Sequence, residues 1–332
     1  MNINRKILIK NYIKAAFLPV LQSTGIVSIS NRVGYFLNEK KIVLNYHNVS
    51  PTVFDEHLEY LTRNSIICTP ETFFKPNNNN KLMILLTFDD GYKSFVYDIQ
   101  KILIKYKAPA LFFIPTGIFE NNDIFFFDLL KLLIEKRKLN SLEVNGEIYK
   151  IDKTNEVTLT TKISAYLKEI SNDSRQKVLY SIQHQLMSEL NEKDKDKYRL
   201  IKIDDIKNID NELVYIGSHG VTHELFSKLT NSELEHEIKD SKETLEKVVG
   251  KPIKYFAYPS GDYTIEAINT LKRYGYTAAF TTREGYFIDK DMYEINRISI
   301  DDKLPVSILS LKISLLLNIF RKLEKLILLK GV

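Results

Sequence analysis

Tryptophan is absent from this chain, and cysteine occurs once, at Cys68. A single thiol excludes an intrachain disulfide and any zinc site built on thiolates. No stretch is long and uncharged enough to read as a membrane span. No basic block with interleaved aromatic residues points to nucleic acid. Histidine is scarce and none follows His236. What the chain does have is 332 residues, 44% of them apolar, and a net charge of +5 carried mainly by lysine. That apolar fraction is ample for a core, and the length fits one large domain or two. The mild, diffuse positive charge suits an anionic membrane surface or an acidic glycan.

Three stretches stand out. In the first, an apolar run from Met83 to Leu86 reads as a strand buried on both faces. It ends in two adjacent carboxylates, Asp89 and Asp90, followed by Gly91. Like charges side by side repel, and burial raises both pKa values unless a cation or donors compensate. A turn with Asp capping the next helix is the plainer reading. In the second, Leu213 to Ile216 leads into Gly-Ser-His-Gly-Val-Thr-His, which sets His219 and His223 four residues apart. A helical turn or a tight loop brings both imidazoles to one side. Two histidines and one carboxylate are the ligand set of a catalytic zinc with a position open for water; the same set also binds non-haem iron. In the third, an aromatic strand from Tyr255 breaks at Pro259 and Gly261.

The remaining order of elements places these stretches. Lys41 to His47 reads as the first core strand, with a helix over Phe54 to Leu61 and a polar loop at Asn77 to Asn80. A helix over Tyr92 to Tyr106 and a strand over Ala110 to Ile114 follow. Residues from about 120 to 205 break the rhythm, with an apolar helix from Ile124, a turn at Asn145-Gly146 and helices near Thr161–Ile170 and Arg175–Leu190. Thr230 and Glu233 form a capping box for a helix that Gly250 and Pro252 stop. Strands over Lys254–Tyr258, Tyr276–Phe280 and Glu294–Ile300 complete the set. The alternation predicts parallel pairing with right-handed crossovers, hence an irregular α/β barrel of seven strands with a helical insertion. Active sites of such barrels gather at the carboxyl ends of the strands, where Asp89, Asp90, His219 and Pro259 all fall. Residues 1–40 and 306–332 read as basic amphipathic helices flanking a barrel of residues 41–305.

Together the three stretches resemble, in order and spacing, the polysaccharide deacetylase family. Thr87-Phe-Asp-Asp-Gly, Ser218-His-Gly-Val-Thr-His and Phe256-Ala-Tyr-Pro-Ser-Gly match its three motifs, and the likeness spans roughly Lys41 to Ile300. The resemblance implies a (β/α)7 barrel that removes N-acetyl groups from amino-sugar polymers. It assigns Asp90, His219 and His223 to a divalent metal, expected to be Zn2+, and Asp89 to the general base. It also assigns the backbone N–H of Ser260, after Pro259, to the oxyanion, while Tyr258 is expected either to help shape the sugar pocket or to be a buried core residue.

Three departures matter. Gly220 stands where the family usually has Ser or Thr. Ala257 stands where many relatives carry an Arg that pairs with the base; Arg297 could supply that charge from another direction. The family's late Leu-x-His motif, the source of its general acid, is missing. His47 ends the first strand on the same face as Asp89 and is the candidate acid. His57, His184 and His236 lie on predicted helices among polar residues and are expected to be solvated.

The expected function is metal-dependent hydrolysis of an N-acetyl or other N-acyl group from an amino sugar, in a glycan or a lipid-linked precursor. Alternatives are a deformylase acting on a lipid-linked amino sugar, a catalytically silent glycan-binding relative, and an iron oxygenase. Without a clean signal for cleavage, the chain is expected at the cytoplasmic face of a membrane, with peripheral contact through its basic ends; export is the alternative. No nucleic-acid partner is expected.

Overall fold

A computed structural model of the protein describes residues 41–76, 81–121, 124–287 and 291–314. The loop expected at Asn77–Asn80, the amino-terminal helix and most of the carboxyl-terminal one lie outside the described residues.

The core is one parallel sheet. Its strands are β1 (Lys41–Tyr46), β2 (Ile66–Ile67), β3 (Met83–Phe88), β4 (Ala110–Ile114), β7 (Val214–Ser218), β8 (Tyr255–Ala257), β9 (Ala278–Phe280) and β10 (Ile298–Ser299); β5 (Ser141–Val144) and β6 (Glu147–Lys150) form a separate hairpin. The order is β10-β1-β3-β4-β7-β8-β9, with the short β2 added beside β3. Phe280 also bridges in parallel to Ile295, just before β10, so hydrogen bonds run right round the ring. The result is a (β/α)7 barrel.

Strand alternation divides the side chains into two populations. Ile42, Leu44, Ile84, Leu86, Phe112 and Phe256 face outward into the layer beneath the helices. Val43, Leu85, Leu111, Phe113, Ala257 and Phe280 face into the barrel. Asn45 and Thr87 follow Val43 and Leu85 on the inward side, two residues further along each strand, and both are fully buried. The barrel is therefore apolar at its floor and polar at the carboxyl ends of its strands. Gly217 belongs to the floor: a β-carbon there would meet the Phe113 ring at 2.5 Å.

Helices cover the outside. α1 (Pro51–Asn64) buries Phe54, His57, Leu58 and Leu61. His57 is the exception to the expected solvated histidines. Its Nε2 donates to the Leu304 carbonyl at 2.7 Å, its Nδ1 lies 3.2 Å from Tyr46 Oη, and burial lowers its pKa. Its i+3 spacing from Phe54 puts it on the buried face of the helix. His184 and His236 are exposed as expected. The expected helix from Tyr92 begins as a π-turn, Phe95–Ile99, before continuing as α2 (Gln100–Tyr106).

The segment between β4 and β7 folds back on the barrel. α3 (Phe126–Glu135), the β5–β6 hairpin, α4 (Glu156–Glu169) and α5 (Asn172–Leu186) enclose their own apolar cluster, including Leu130, Leu142, Ile163, Leu167 and Ile182. Asn145 and Gly146 both take positive φ in the hairpin turn. After β7, α6 (Asn231–Val249) starts at the Thr230–Glu233 capping box and stops at Gly250, which has φ of +70°. α7 (Ile265–Arg273) joins β8 to β9. α8 (Val306–Lys312) buries Leu309 and Leu311, so the described start of the carboxyl-terminal helix packs on the barrel. Among the described residues, no helix is long and apolar enough to cross a membrane.

Candidate active site

The carboxyl end of β3 carries Asp89 and Asp90, both almost fully buried. They have separate partners. Arg297, itself inaccessible to solvent, meets Asp89 with a two-pronged ion pair, Nη1 to Oδ1 and Nη2 to Oδ2, each 2.7 Å. Its Nε donates to the Thr281 carbonyl at 2.8 Å, and Nη1 also reaches Asn45 Oδ1 at 3.1 Å. Asn45 Nδ2 donates to Asp89 Oδ2 at 3.2 Å. The guanidinium lies over the Phe113 ring at 5.8 Å. Burial alone would raise the pKa of Asp89, but Arg297, with help from His219 and His47, holds it below the ordinary carboxylate value. Arg297 thus enters from the start of β10 and fills the electrostatic role left open by Ala257.

Asp90 turns the other way. Its φ is +77°, and its Oδ1 lies 3.4 Å from His219 Nε2 and 3.3 Å from His223 Nε2. The three donor atoms lie within 4.8 Å of one another. Ligand bonds of about 2.0–2.1 Å in a tetrahedral site set neighbouring donor atoms about 3.3–3.4 Å apart, so this set fits a zinc-like divalent ion. The protonation pattern agrees: His219 Nδ1 meets the Ala257 carbonyl at 2.7 Å, which leaves Nε2 as the lone-pair nitrogen facing Asp90. Asp90 is held well below the carboxylate range. Burial opposes this, but the two imidazoles that face the carboxylate outweigh it.

The loop from His219 to His223 is built for this geometry. Buried Glu237 on α6 accepts from Val221 N at 2.6 Å, Thr222 N at 3.1 Å and Thr222 Oγ1 at 2.5 Å. Gly220 has φ of +80°, and a β-carbon there would lie 2.6 Å from Glu237 Oε2, so the missing hydroxyl side chain has no room. Arg175, from α5, pairs with Glu224 at 3.0 and 3.3 Å and stacks on Phe126 at 4.4 Å. Phe125 and Phe127 close over His223, with ring centroids 5.1 and 5.9 Å away. The insertion therefore forms one wall of the site.

Six non-glycine residues among those described take positive φ. Lys107 and Met187 end helices and Asn145 makes the hairpin turn. The other three are Asp90, His223 and Ser260, all at this site, where tight geometry sustains backbone strain.

His47 Nε2 lies 3.9 Å from Asp89 Oδ2, and its side chain is 41% exposed, so it opens onto the cleft beside that carboxylate. Pro259 is buried and ends β8; Ser260 is exposed at the mouth. Tyr258 does not shape the sugar pocket. Alternation sends it outward, opposite to Ala257, where it is fully buried, stacks on Tyr263 at 4.8 Å and donates to the Tyr293 carbonyl at 3.0 Å. Asn45 and Glu237 were not singled out from the sequence, although each is a polar residue in a buried apolar pattern.

Comparisons with known proteins bear on the family and the fold. The sequence profile described as polysaccharide deacetylase matches residues 76–279. No curated protein matches the chain. Among solved structures, the Streptococcus pyogenes deacetylase PplD, determined with acetate, is similar with a TM-score of 0.55 and 20% identity, covering 83% of this chain and 98% of that one. A polysaccharide deacetylase from Bacillus cereus gives a TM-score of 0.52 and 21% identity over 83% of this chain and 69% of its own. A de-N-acetylase from Aggregatibacter actinomycetemcomitans gives 0.51 and 14% identity over 82% and 99%.

The Arg297–Asp89 pair makes a pH prediction. A depressed carboxyl stays ionised well into acid, and the stability it contributes is present above its unfolded-state pKa and lost as pH falls through the folded one. Replacing Arg297 by Met removes the main lowering influence and leaves burial, so the pKa of Asp89 rises. The acid limb of kcat/KM, followed from pH 4 to 8, is expected to move to higher pH in Arg297→Met and by less in Arg297→Lys. An unmoved limb in both variants would show that Asp89 is not the group titrating there.

Proposed function

The chain belongs to the polysaccharide deacetylase family and is an amide hydrolase of that type, and from this premise we propose that it removes the N-acetyl group from an amino sugar in a glycan or a lipid-linked glycan precursor, using a divalent metal. One observation carries the reading: two adjacent carboxylates have been given different partners, an arginine for one and two imidazoles for the other. Binding alone needs no such division.

Zn2+ held by Asp90, His219 and His223 would lower the pKa of a water and polarise the acyl carbonyl. Asp89, kept ionised and fixed in place by Arg297, accepts a proton from the attacking water. The backbone N–H at Ser260, just after Pro259, is offered to the developing oxyanion. His47, open to the cleft next to Asp89, donates a proton to the departing amine. That proton is needed because an amide nitrogen leaves poorly as an anion. A cleft of about 770 Å3 is lined by Asn48, Ser94, Tyr97, Arg199, Lys202 and others, and by none of Asp89, Asp90, His219, His223 or Ser260. Release of a formyl group instead would be the same chemistry on a smaller acyl.

The decisive assay incubates the metal-loaded protein with N-acetylated and N-formylated amino sugars, free, polymeric and lipid-linked, and identifies the acid released. Asp89→Asn is expected to abolish turnover with bound metal near the wild-type level, whereas Asp90→Ala and His223→Ala lose both. His47→Ala is expected to lower kcat by about 100-fold or more at unchanged metal content. Near-normal turnover by Asp89→Asn would contradict the assignment.

We also propose that the enzyme works at the inner face of a membrane, supported by the basic, apolar sequences at residues 5–21 and 307–330. Each Lys or Arg near an anionic surface contributes about 1 kcal/mol. The full chain is therefore expected to sediment with anionic liposomes at low salt and release at high salt, while a chain lacking both ends stays in solution. Failure of the full chain to bind would remove the proposal.

A further inference from the structure

The wall opposite Asp89 holds a cation that the family's chemistry leaves unassigned. In the ring of strands, β8 stands three places from β3, across the barrel from it. At the end of β8, Ser260 Oγ accepts a hydrogen bond from Lys168 Nζ at 2.8 Å. Lys168 comes from the last turn of α4, in the insertion, rather than from the barrel.

Its position is built by other residues. Arg175, nearly inaccessible to solvent, donates from Nε to the Leu167 carbonyl at 2.9 Å and from Nη2 to the Ile170 carbonyl at 3.3 Å. These carbonyls flank Lys168. The same guanidinium pairs with Glu224, the residue after His223. Lys228 Nζ holds the Lys168 carbonyl at 3.1 Å and Glu169 Oε2 at 2.6 Å. The end of α4 is thus tied to the loop that carries a metal-site histidine. The ammonium is partly desolvated, which lowers its pKa against the opposing pull of Asp90, and its charge in turn helps to lower the pKa of His223. An ammonium placed in this way meets no carboxylate of its own: Ser260 Oγ is its one hydrogen-bond acceptor among the described residues, and a hydroxyl does not neutralise it.

We propose that Lys168 is a further catalytic residue, whose ammonium stabilises the oxyanion together with the backbone N–H of Ser260. The proposal rests on the deacetylase reading above. Water attacks the acyl carbon from the Asp89 side and gives its proton to that carboxylate. The carbonyl π electrons move onto oxygen, which then points across the barrel towards Ser260 and Lys168. When the C–N bond breaks, that electron pair returns to form the carboxylic acid, and the amine takes its proton from His47. Lys168 keeps its own protons throughout; it supplies charge and one donor. A full charge in a partly dehydrated cleft acts on developing negative charge more strongly than on the neutral amide of the ground state.

The test uses the full-length, metal-loaded protein on the N-acylated substrate it turns over best. Lys168→Met is expected to lower kcat by about 100-fold, the usual effect of one lost oxyanion donor, with KM within about twofold and bound metal unchanged. Lys168→Arg is expected to keep a good part of the rate. Added ethylammonium is expected to restore activity to Lys168→Ala in a saturable way and to leave the wild type and Asp89→Asn unaffected. A raised KM with normal kcat in Lys168→Met would overturn the proposal and make Lys168 a substrate-binding group. Unchanged kinetics, or lost metal without rescue, would overturn it too. Absence of turnover by the wild-type protein on every substrate would instead reject the deacetylase reading itself.

Discussion

The buried pair between Arg297 and Asp89 is the interaction on which the rest of the site depends. A carboxylate at the inward end of a parallel strand would protonate if left alone, because the barrel interior solvates charge poorly. Protonated, it could not serve as a base. Its neighbour Asp90 makes the problem worse by bringing a second negative charge. The chain answers by dividing the two. Asp89 takes the guanidinium, with Asn45 and Thr281 occupying further donors and acceptors. Asp90, turned by its positive φ, faces the imidazoles. A buried pair of this kind is not a bargain in stability against an apolar substitute, but removing one partner strands the other at a cost of about 3–5 kcal/mol. Function therefore explains the pair better than stability does.

The barrel delivers these groups because all its strands point the same way. The strand ends meet at one rim, and the residues that close the ring, Ile295 to Ser299, bring Arg297 in from the seam between β9 and β10. The insertion does the complementary task from outside. It sets Phe125 and Phe127 against His223, ties Arg175 to Glu224, and lays Lys168 against Ser260. Among the described residues, the site thus lies between a barrel rim and a helical wall, and both carry charge.

Much of this was legible in the sequence. Carboxylates and histidines at the ends of apolar runs announced themselves, because a buried strand has no other use for them. The vacancy at Ala257 made Arg297 a candidate before its position was known. Other features were readable and were misread. Tyr258 follows inward-facing Ala257, so period-two alternation already sends it outward. His57 lies three residues after Phe54 on a helix whose other face is charged. The ties made by Arg175 and Lys168 were not legible, since they join residues whose proximity exists only once the insertion has docked. Short elements such as β2 and the π-turn at Phe95–Ile99 carry too few residues for a pattern to show.

The claim at the centre of this account is that Arg297 acts through Asp89. A double-mutant cycle on kcat/KM, comparing Asp89→Asn, Arg297→Met and the two together at fixed metal loading, tests it directly. Removing Arg297 is expected to be costly when Asp89 is present and nearly without further effect once Asp89 is Asn. Additive losses, with Arg297→Met reducing the residual activity of Asp89→Asn by the same factor as in the wild type, would contradict it.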